Sequence, residues 1–333
     1  MFSPRLLADI GGTRARLGLE VAPGRIDAIT LHSCDDFPGV DALLGAYLRD
    51  RGNPPVRHAA IAIANPVAGD SVRMTNRDWS FSVAELQRAL GFSRLVVMND
   101  MVAMAMALPR LAPEELCKVG DAGASRPGVK VLLGPGTGLG VGALVPLVAA
   151  EDENDPEAWM PVASEGGHVS FAPADETECR LLEVLWRRFP HVSAERIVSG
   201  TGIPLLHAAL CVVNGVPEDP AATAEDVVRR ARADGDSTAA RCLSVFSAML
   251  GGIAGNLALV YGARGGVYLS GGVIPRLGGL FDVAAFRRRF EAKGRFTEYL
   301  AAIPVWRMVG GDDVALRGAA AELARVLQSV PAA

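Results

Sequence analysis

Residues 6–20 read LLADIGGTRARLGLE. An apolar run reaches an acidic residue, two glycines and a threonine, and then a second run alternates. Leu6–Ile10 therefore reads as a buried strand, and Ala15, Leu17 and Leu19 mark one face of the next. Glycine turns that cradle phosphate often open a helix, as in the GxGxxG unit. No helix follows here, and GxxxxGK[ST] does not occur. Two readings of Asp9–Thr13 stay open. Turn N–H groups and the Thr13 hydroxyl can meet phosphate oxygens, with the Asp9 carboxylate suited to hydrated Mg²⁺. Alternatively, Gly-Gly simply closes a β-hairpin.

The same architecture returns at Val129–Val148, VKVLLGPGTGLGVGALVPLV, with four glycines and a threonine inside Gly134–Gly140. A structural hairpin rarely needs so many glycines, because each costs conformational entropy. Two similar units suggest a duplicated fold with a cleft between halves. A third glycine pair ends the strand in GGVYLSGGVIP (Gly265–Pro275), where bare backbone suits a flat adenine or a ribose.

Around these turns the pattern is α/β. HAAIAIA (His58–Ala64) reads as a strand closed by the turn NPVAGD, and RLVVMND (Arg94–Asp100) as a strand ending in a carboxylate. Ser82–Leu90 reads as an amphipathic helix with Ser82 as N-cap and Glu85 at the capping-box spacing. MVAMAMAL forms a helix stopped at Pro109, with its methionines in a core. Gly120–Gly128 is turn-rich and Glu151–Pro156 an acidic loop. Thr177–Leu259 is mostly helical, with one long pattern from Thr223 through Tyr261, and Val314–Val330 is a helix that can pack back on the first domain. FRRRFEAKGRF (Phe286–Phe296) reads as a solvated amphipathic helix.

The 333 residues, half of them hydrophobic and 21% charged, allow a large core and two domains. A net charge of −4 gives no global basic field for nucleic acid or an anionic membrane. Cys34, Cys117, Cys179, Cys211 and Cys242 show no metal-ligand spacing, which argues for reduced thiols. No uninterrupted apolar run approaches the roughly 20 residues of a membrane span. A cytoplasmic protein is expected.

Asp100 stands at the carboxyl end of a strand, where α/β folds bind ligands; equally, Asn-Asp before a helix is a start signal. Glu165 and His168 in EGGHVSF fit a turn that presents polar groups to hydroxyls, or a plain hairpin turn. Glu195 is an ordinary helix glutamate by pattern, with Ser193 as a cap.

Taken in order, DIGGT, NDMVAMA, GPGTGLG, EGGHVSF, ERIVSGTGI and LSGGVIP closely resemble the bacterial glucokinases over roughly residues 5–330. These form the branch of the sugar kinase/actin/chaperone-ATPase superfamily without the repressor-type zinc motif. The resemblance implies a two-domain actin-like (ribonuclease H-like) α/β fold. Residues 1–110, completed by the C-terminal helix at 313–333, would make the small domain and 111–312 the large one. It implies transfer of the ATP γ-phosphoryl to the 6-hydroxyl of glucose, with Asp100 as general base. Asn99, Asp100, Glu165, His168, Glu195 and Gly138 would hold glucose. Asp9, Ile10, Gly11, Gly12, Thr13, Thr137, Gly138, Gly271 and Gly272 would hold ATP, with Asp9 meeting Mg²⁺ directly or through water. A homodimer is implied too. Kinases of another hexose or using polyphosphate remain alternatives, as does a sugar-sensing regulator on the same fold. Two departures stand out: Arg14 replaces a usual asparagine, and Pro135 removes one N–H donor from its loop.

Overall fold

A computed structural model of the chain describes residues 2–75, 77–123, 126–147, 155, 158–233 and 237–329. Two compact units emerge: Met1–Glu115 with Leu144–Ala163 and Val309–Ala333, and Leu116–Ala143 with Ser164–Met308.

The first unit is built on β1 (Arg5–Ile10), β2 (Arg14–Ala22), β3 (Arg25–Ser33), α1 (Val40–Arg49), β4 (His58–Ile63), β5 (Ser71–Arg73), β6 (Ser80–Ser82), α2 (Val83–Ala89), β7 (Arg94–Asn99) and α3 (Asp100–Ala107). The main sheet runs β3-β2-β1-β4-β7. β1 pairs antiparallel with β2, setting Asp9 against Arg16 and Ile10 against Ala15, and parallel with β4. Its side chains alternate between two cores, as the two-residue period of a strand requires. Leu6, Ala8 and Ile10 join Leu43, Leu44, Tyr47, Ile61 and Ile63. Leu7 joins Ala60, Ala62, Met98, Val102 and the C-terminal helix residues Leu316, Ala319 and Leu323. A strand covered on both faces explains the uninterrupted apolar run that opens the sequence.

Ser82 caps α2 as expected, accepting from Glu85 N at 3.1 Å. The return carboxylate is Asp70 rather than Glu85: Ser82 Oγ donates to Asp70 Oδ2 at 2.5 Å, and Ala84 N donates to Asp70 Oδ1 at 2.8 Å. α3 ends one residue before a 3₁₀ turn that contains Pro109.

Further along the chain come β8 (Leu116–Lys118), β9 (Lys130–Pro135), β10 (Leu139–Pro146), β11 (Trp159–Ser164), α4 (Glu176–Trp186), α5 (Ala194–Ile197), α6 (Gly202–Asn214), α7 (Ala224–Arg232), α8 (Ser237–Tyr261), β12 (Val267–Leu269), α9 (Val273–Leu277), α10 (Val283–Glu291), α11 (Thr297–Ala301) and β13 (Val305–Met308). All fall in the second unit except the end of β10 from Leu144 and β11 up to Ala163, which count with the first. The last helix, α12 (Val314–Gln328), belongs to the first unit. The second sheet runs β11-β10-β9-β12-β13-β8.

Three expectations need correction or restriction. The pattern from Thr223 through Tyr261 is two helices, because Thr223 starts α7 with a reciprocal capping box to Asp226 and α7 ends at Arg232. The basic stretch after Val283 is not solvated throughout. Phe286 and Phe290 are fully buried, and Arg287 is buried with Nη1 donating to Ile303 O at 3.3 Å and Nε to Glu291 Oε1 at 2.9 Å. The acidic loop Glu151–Pro156 lies outside the described residues except for Asp155, as do Ala124 and Ser125 of the turn-rich passage and Val330 at the chain's end.

Among the described residues one helix, Thr238–Tyr261, is long and apolar enough to cross a membrane by length and composition, although Arg241 and Asn256 interrupt its apolar run. About two-thirds of its apolar window is buried inside the fold, as in a core helix. Among the described residues all five cysteines lie outside any disulfide.

α12 lies on α3 so closely that a Cβ at Gly318 would fall far inside van der Waals distance of the Ala103 carbonyl. Gly318→Ala is expected to destabilise the protein by about 3 kcal/mol through overpacking, read as a lower urea midpoint. Gly279→Ala, with no atom within 4 Å of the added carbon, should leave the midpoint in place. A wild-type midpoint for Gly318→Ala would refute the close packing.

Candidate functional site

Both Gly/Thr turns fall between strands, as the sequence implies. In the first, Gly11 N donates to Arg14 O at 2.9 Å and Cys34 N to Thr13 O at 2.9 Å. Gly12 O accepts from Arg77 Nη1 at 2.9 Å, and Gly11 O from Cys34 Sγ at 3.7 Å. The Ile10 side chain is fully buried, so that residue offers a ligand only its backbone. Arg14 contributes its carbonyl to the turn while its side chain is exposed. Asp9 lies beside Arg16, with Oδ2 and Nη1 3.9 Å apart, and Arg16 Nη2 reaches Asp312 Oδ2 at 3.1 Å. Burial pushes the Asp9 carboxyl above the ordinary range, and the Arg16 charge only partly opposes it. Among the described residues, no three His, Cys, Asp or Glu side chains gather as a metal site. One carboxylate fits Mg²⁺ only in the way kinase sites often hold it, through few protein ligands plus waters and phosphates.

Asn99 and Asp100 stand where β7 becomes α3. Asn99 is the N-cap: Oδ1 accepts from Met101 N at 2.8 Å, and Nδ2 donates to Asn65 O at 3.1 Å. Of the two donors and two lone pairs of its amide, those bonds use one of each. Asp100 is the first helical residue, with Oδ1 2.8 Å from Met101 N. Behind them, Asn65 is buried, with both carboxamide lone pairs and one N–H in use. Its Nδ2 donates to Arg73 O at 2.8 Å, and its Oδ1 accepts from Thr75 N at 2.9 Å and Thr75 Oγ1 at 3.1 Å. The sequence marks Asn65 only as the start of a turn.

In the second unit the structure brings Glu165, His168 and Glu195 together. His168 Nε2 is 3.8 Å from Glu165 Oε2, and Nδ1 is 3.8 Å from Glu195 Oε1. Gly166–His168 forms a single 3₁₀ turn, with His168 N donating to Glu165 O at 2.9 Å. Glu165 and His168 are well exposed, and Glu195 about half as much. Ser193 does cap α5, accepting from Arg196 N at 3.1 Å. Glu195 nevertheless has a second engagement: Oε2 accepts from Leu139 N at 2.9 Å, at the end of the GPGTG turn. A Cβ at Gly138 would collide with that carboxylate.

That turn is laced to two other glycine segments. Gly200 N donates to Gly136 O at 2.7 Å, Thr201 Oγ1 to Thr137 O at 3.0 Å, and Gly136 N to Gly138 O at 2.8 Å. Gly271, at φ +80°, has room for no side chain, because a Cβ would lie 2.5 Å from Pro135 O. Beside Gly271 and Gly272 a cavity of about 390 Å³ is lined by Gly200, Ile203, Val228, Val273 and Leu277, with Arg276 at its wall. Sequence reading found the glycines but missed the apolar floor, since Ile203 and Val228 reach it from separate helices.

The chain shares the actin-like ATPase fold of sugar kinases. The glucokinase family model matches residues 6–326. A glucokinase of Chromobacterium violaceum is 50% identical over 322 residues, covering 96% of this chain and 89% of the relative. The bifunctional protein glk of Paraburkholderia xenovorans is 46% identical over 327 residues, 98% of this chain, which spans 50% of that longer protein. Among solved structures, a glucokinase from an Antarctic psychrotroph superposes with a TM-score of 0.87 at 33% identity, covering 97% of this chain and 99% of its own. A ROK family glucokinase from Streptomyces griseus, in complex with glucose and AMPPNP, matches in fold with a TM-score of 0.58 at 19% identity, covering 96% and 98%.

The raised Asp9 carboxyl carries a stability signature. Its folded pKa lies above the unfolded value of about 3.9, so the folded state gains relative stability as pH falls and loses it as pH rises through the folded pKa. Asp9→Asn is therefore expected to raise the urea midpoint at pH 7, with the gain fading as pH drops toward 4. An equal or lower midpoint at pH 7 would contradict the burial cost.

Proposed function

The chain belongs to the glucokinase family, and from that premise we propose that it transfers the γ-phosphoryl group of ATP to the 6-hydroxyl of D-glucose. The observation that carries the reading is the Glu195 carboxylate, which meets the GPGTG turn through Leu139 N and faces the His168 imidazole with its other oxygen. A group that serves a phosphate-type turn and a polyol-type cluster at once suits an enzyme that handles a nucleotide and a sugar together.

In this reading Asp100 takes the proton of the 6-hydroxyl as the new P–O bond forms. It stands at the first turn of α3, directly after the Asn99 cap. Asn99, with one N–H and one lone pair left after capping, holds sugar hydroxyls beside it. Glu165, His168 and Glu195 hold others, with the Gly138 backbone alongside. Gly11, Gly12, Thr13, Thr137 and Gly138 hold the phosphates, Asp9 and Ile10 bracket the first turn, and Gly271 and Gly272 lead the adenosine into the cavity floored by Ile203 and Val273. Asp9 would hold Mg²⁺ through water, and the ion would supply charge neutralisation for the transferring group. The product, glucose 6-phosphate, enters glycolysis. Cysteines outside any disulfide fit the cytoplasm, and the enzyme acts there as a homodimer, which light scattering would check.

One assay tests the activity: ADP release across a panel of hexoses, with ATP or polyphosphate as donor. Glucose with ATP should lead, and faster turnover of mannose or fructose would overturn the substrate. Asp100→Asn should bind glucose with near wild-type affinity by calorimetry and lose roughly 10²–10⁴-fold in kcat. A wild-type kcat would remove Asp100 from the mechanism.

A further inference from the structure

A trans peptide carries its C=O and its N–H on opposite edges. Whatever grips the carbonyl therefore aims the amide of the following residue. In the first turn Arg77 grips Gly12 O, which turns the Thr13 N–H away from the guanidinium, and Cys34 Sγ does the same more weakly for Gly12 N–H through Gly11 O. In the second turn Thr201 Oγ1 grips Thr137 O and so aims Gly138 N–H, while Gly200 N grips Gly136 O and aims Thr137 N–H. The four amides so directed, of Gly12, Thr13, Thr137 and Gly138, donate to nothing among the described residues. Two adjacent free N–H groups in a turn form a concave anion cradle.

Both grips are themselves held. Arg77 Nη1 also meets Asp35 Oδ1 at 2.8 Å, and its guanidinium lies over the Trp79 ring, 4.7 Å from the centroid. Its Nε is buried with no partner, a cost the fold bears to keep the guanidinium at the turn. Thr201 Oγ1 is braced by Ser199 Oγ at 3.1 Å, and Ser199 Oγ accepts from Gly202 N at 3.0 Å.

We infer that Arg77 and Thr201 are positioning residues for phosphoryl transfer, each fixing through one carbonyl the direction of an amide that receives a nucleotide phosphate. The inference rests on the reading of these turns as the ATP phosphate site. Arg77 acts from behind the first turn and Thr201 from behind the second.

Calorimetric titration with ADP and with adenosine separates this role from general support of the fold. Thr201→Val keeps the shape and removes the donor; Arg77→Leu removes the other grip. Each should weaken ADP binding roughly tenfold or more and leave adenosine affinity unchanged, with KM for ATP rising and KM for glucose steady. Thr201→Ser, which keeps the hydroxyl, should restore ADP affinity. Equal weakening of ADP and adenosine, or no change for ADP in Thr201→Val, would overturn the inference even if Arg77→Leu fails to fold. Wild-type protein that binds neither ADP nor ATP would defeat the nucleotide reading itself, and would do so before any substitution is made.

Discussion

Backbone meeting bare backbone is the contact on which the second unit's site depends. Gly167 sits where any Cβ would run into the Leu139 carbonyl, so the turn that carries Glu165 and His168 can seat itself on the start of β10. Gly138 leaves room for the Glu195 carboxylate, and Gly202 lets α6 begin hard against the Ile197 carbonyl. Gly271 adopts a positive φ and passes the Pro135 carbonyl at a distance that admits no side chain. Each glycine thus removes an obstacle between two named groups. Their density in GPGTGLG, EGGH, SGTG and SGG follows from how many such approaches one small region contains.

The first unit meets a different constraint. β1 is buried on both faces, so its only polar side chain among Leu6–Ile10, Asp9, is drawn into a poorly solvated position at the mouth of the turn. Arg16, opposite on β2, and Asp312 beyond it form a short charge chain that partly compensates. A carboxyl raised by burial lowers the stability of the folded state at neutral pH.

Local signals carried much of this. The strand after Gly-Gly-Thr excluded helix-opening phosphate loops, Ser82 and Ser193 capped the helices they preceded, and the repeat of strand, turn and strand recurred as β9 and β10. What stayed hidden depends on partners far along the chain. Leu139 meets Glu195 across 56 residues, Thr137 meets Thr201 across 64, and Gly12 meets Arg77 across 65. Nothing at Asp70 shows that its carboxylate, rather than that of Glu85, completes the α2 cap. Arg287 reads as a surface cation because the sequence cannot show Glu291 and Ile303 closing over it.

At Asn99-Asp100 the structure gives the helix start signal to the first of the two residues. A start signal for α3 and a reactive carboxylate competed for the same dipeptide. Asn99 takes the cap with its carbonyl oxygen and anchors itself to Asn65 with its amide nitrogen. Asp100 is thereby the first helical residue, and its Oδ1 shares the Met101 N–H with the Asn99 cap at 2.8 Å. Because Asn65 also fixes Thr75, two residues before Arg77, the segment that bears the grip on Gly12 shares one buried anchor with the cap. The cap beside Asp100 donates to the Asn65 main-chain carbonyl while Thr75 donates to the Asn65 side chain, so both segments meet at one buried residue.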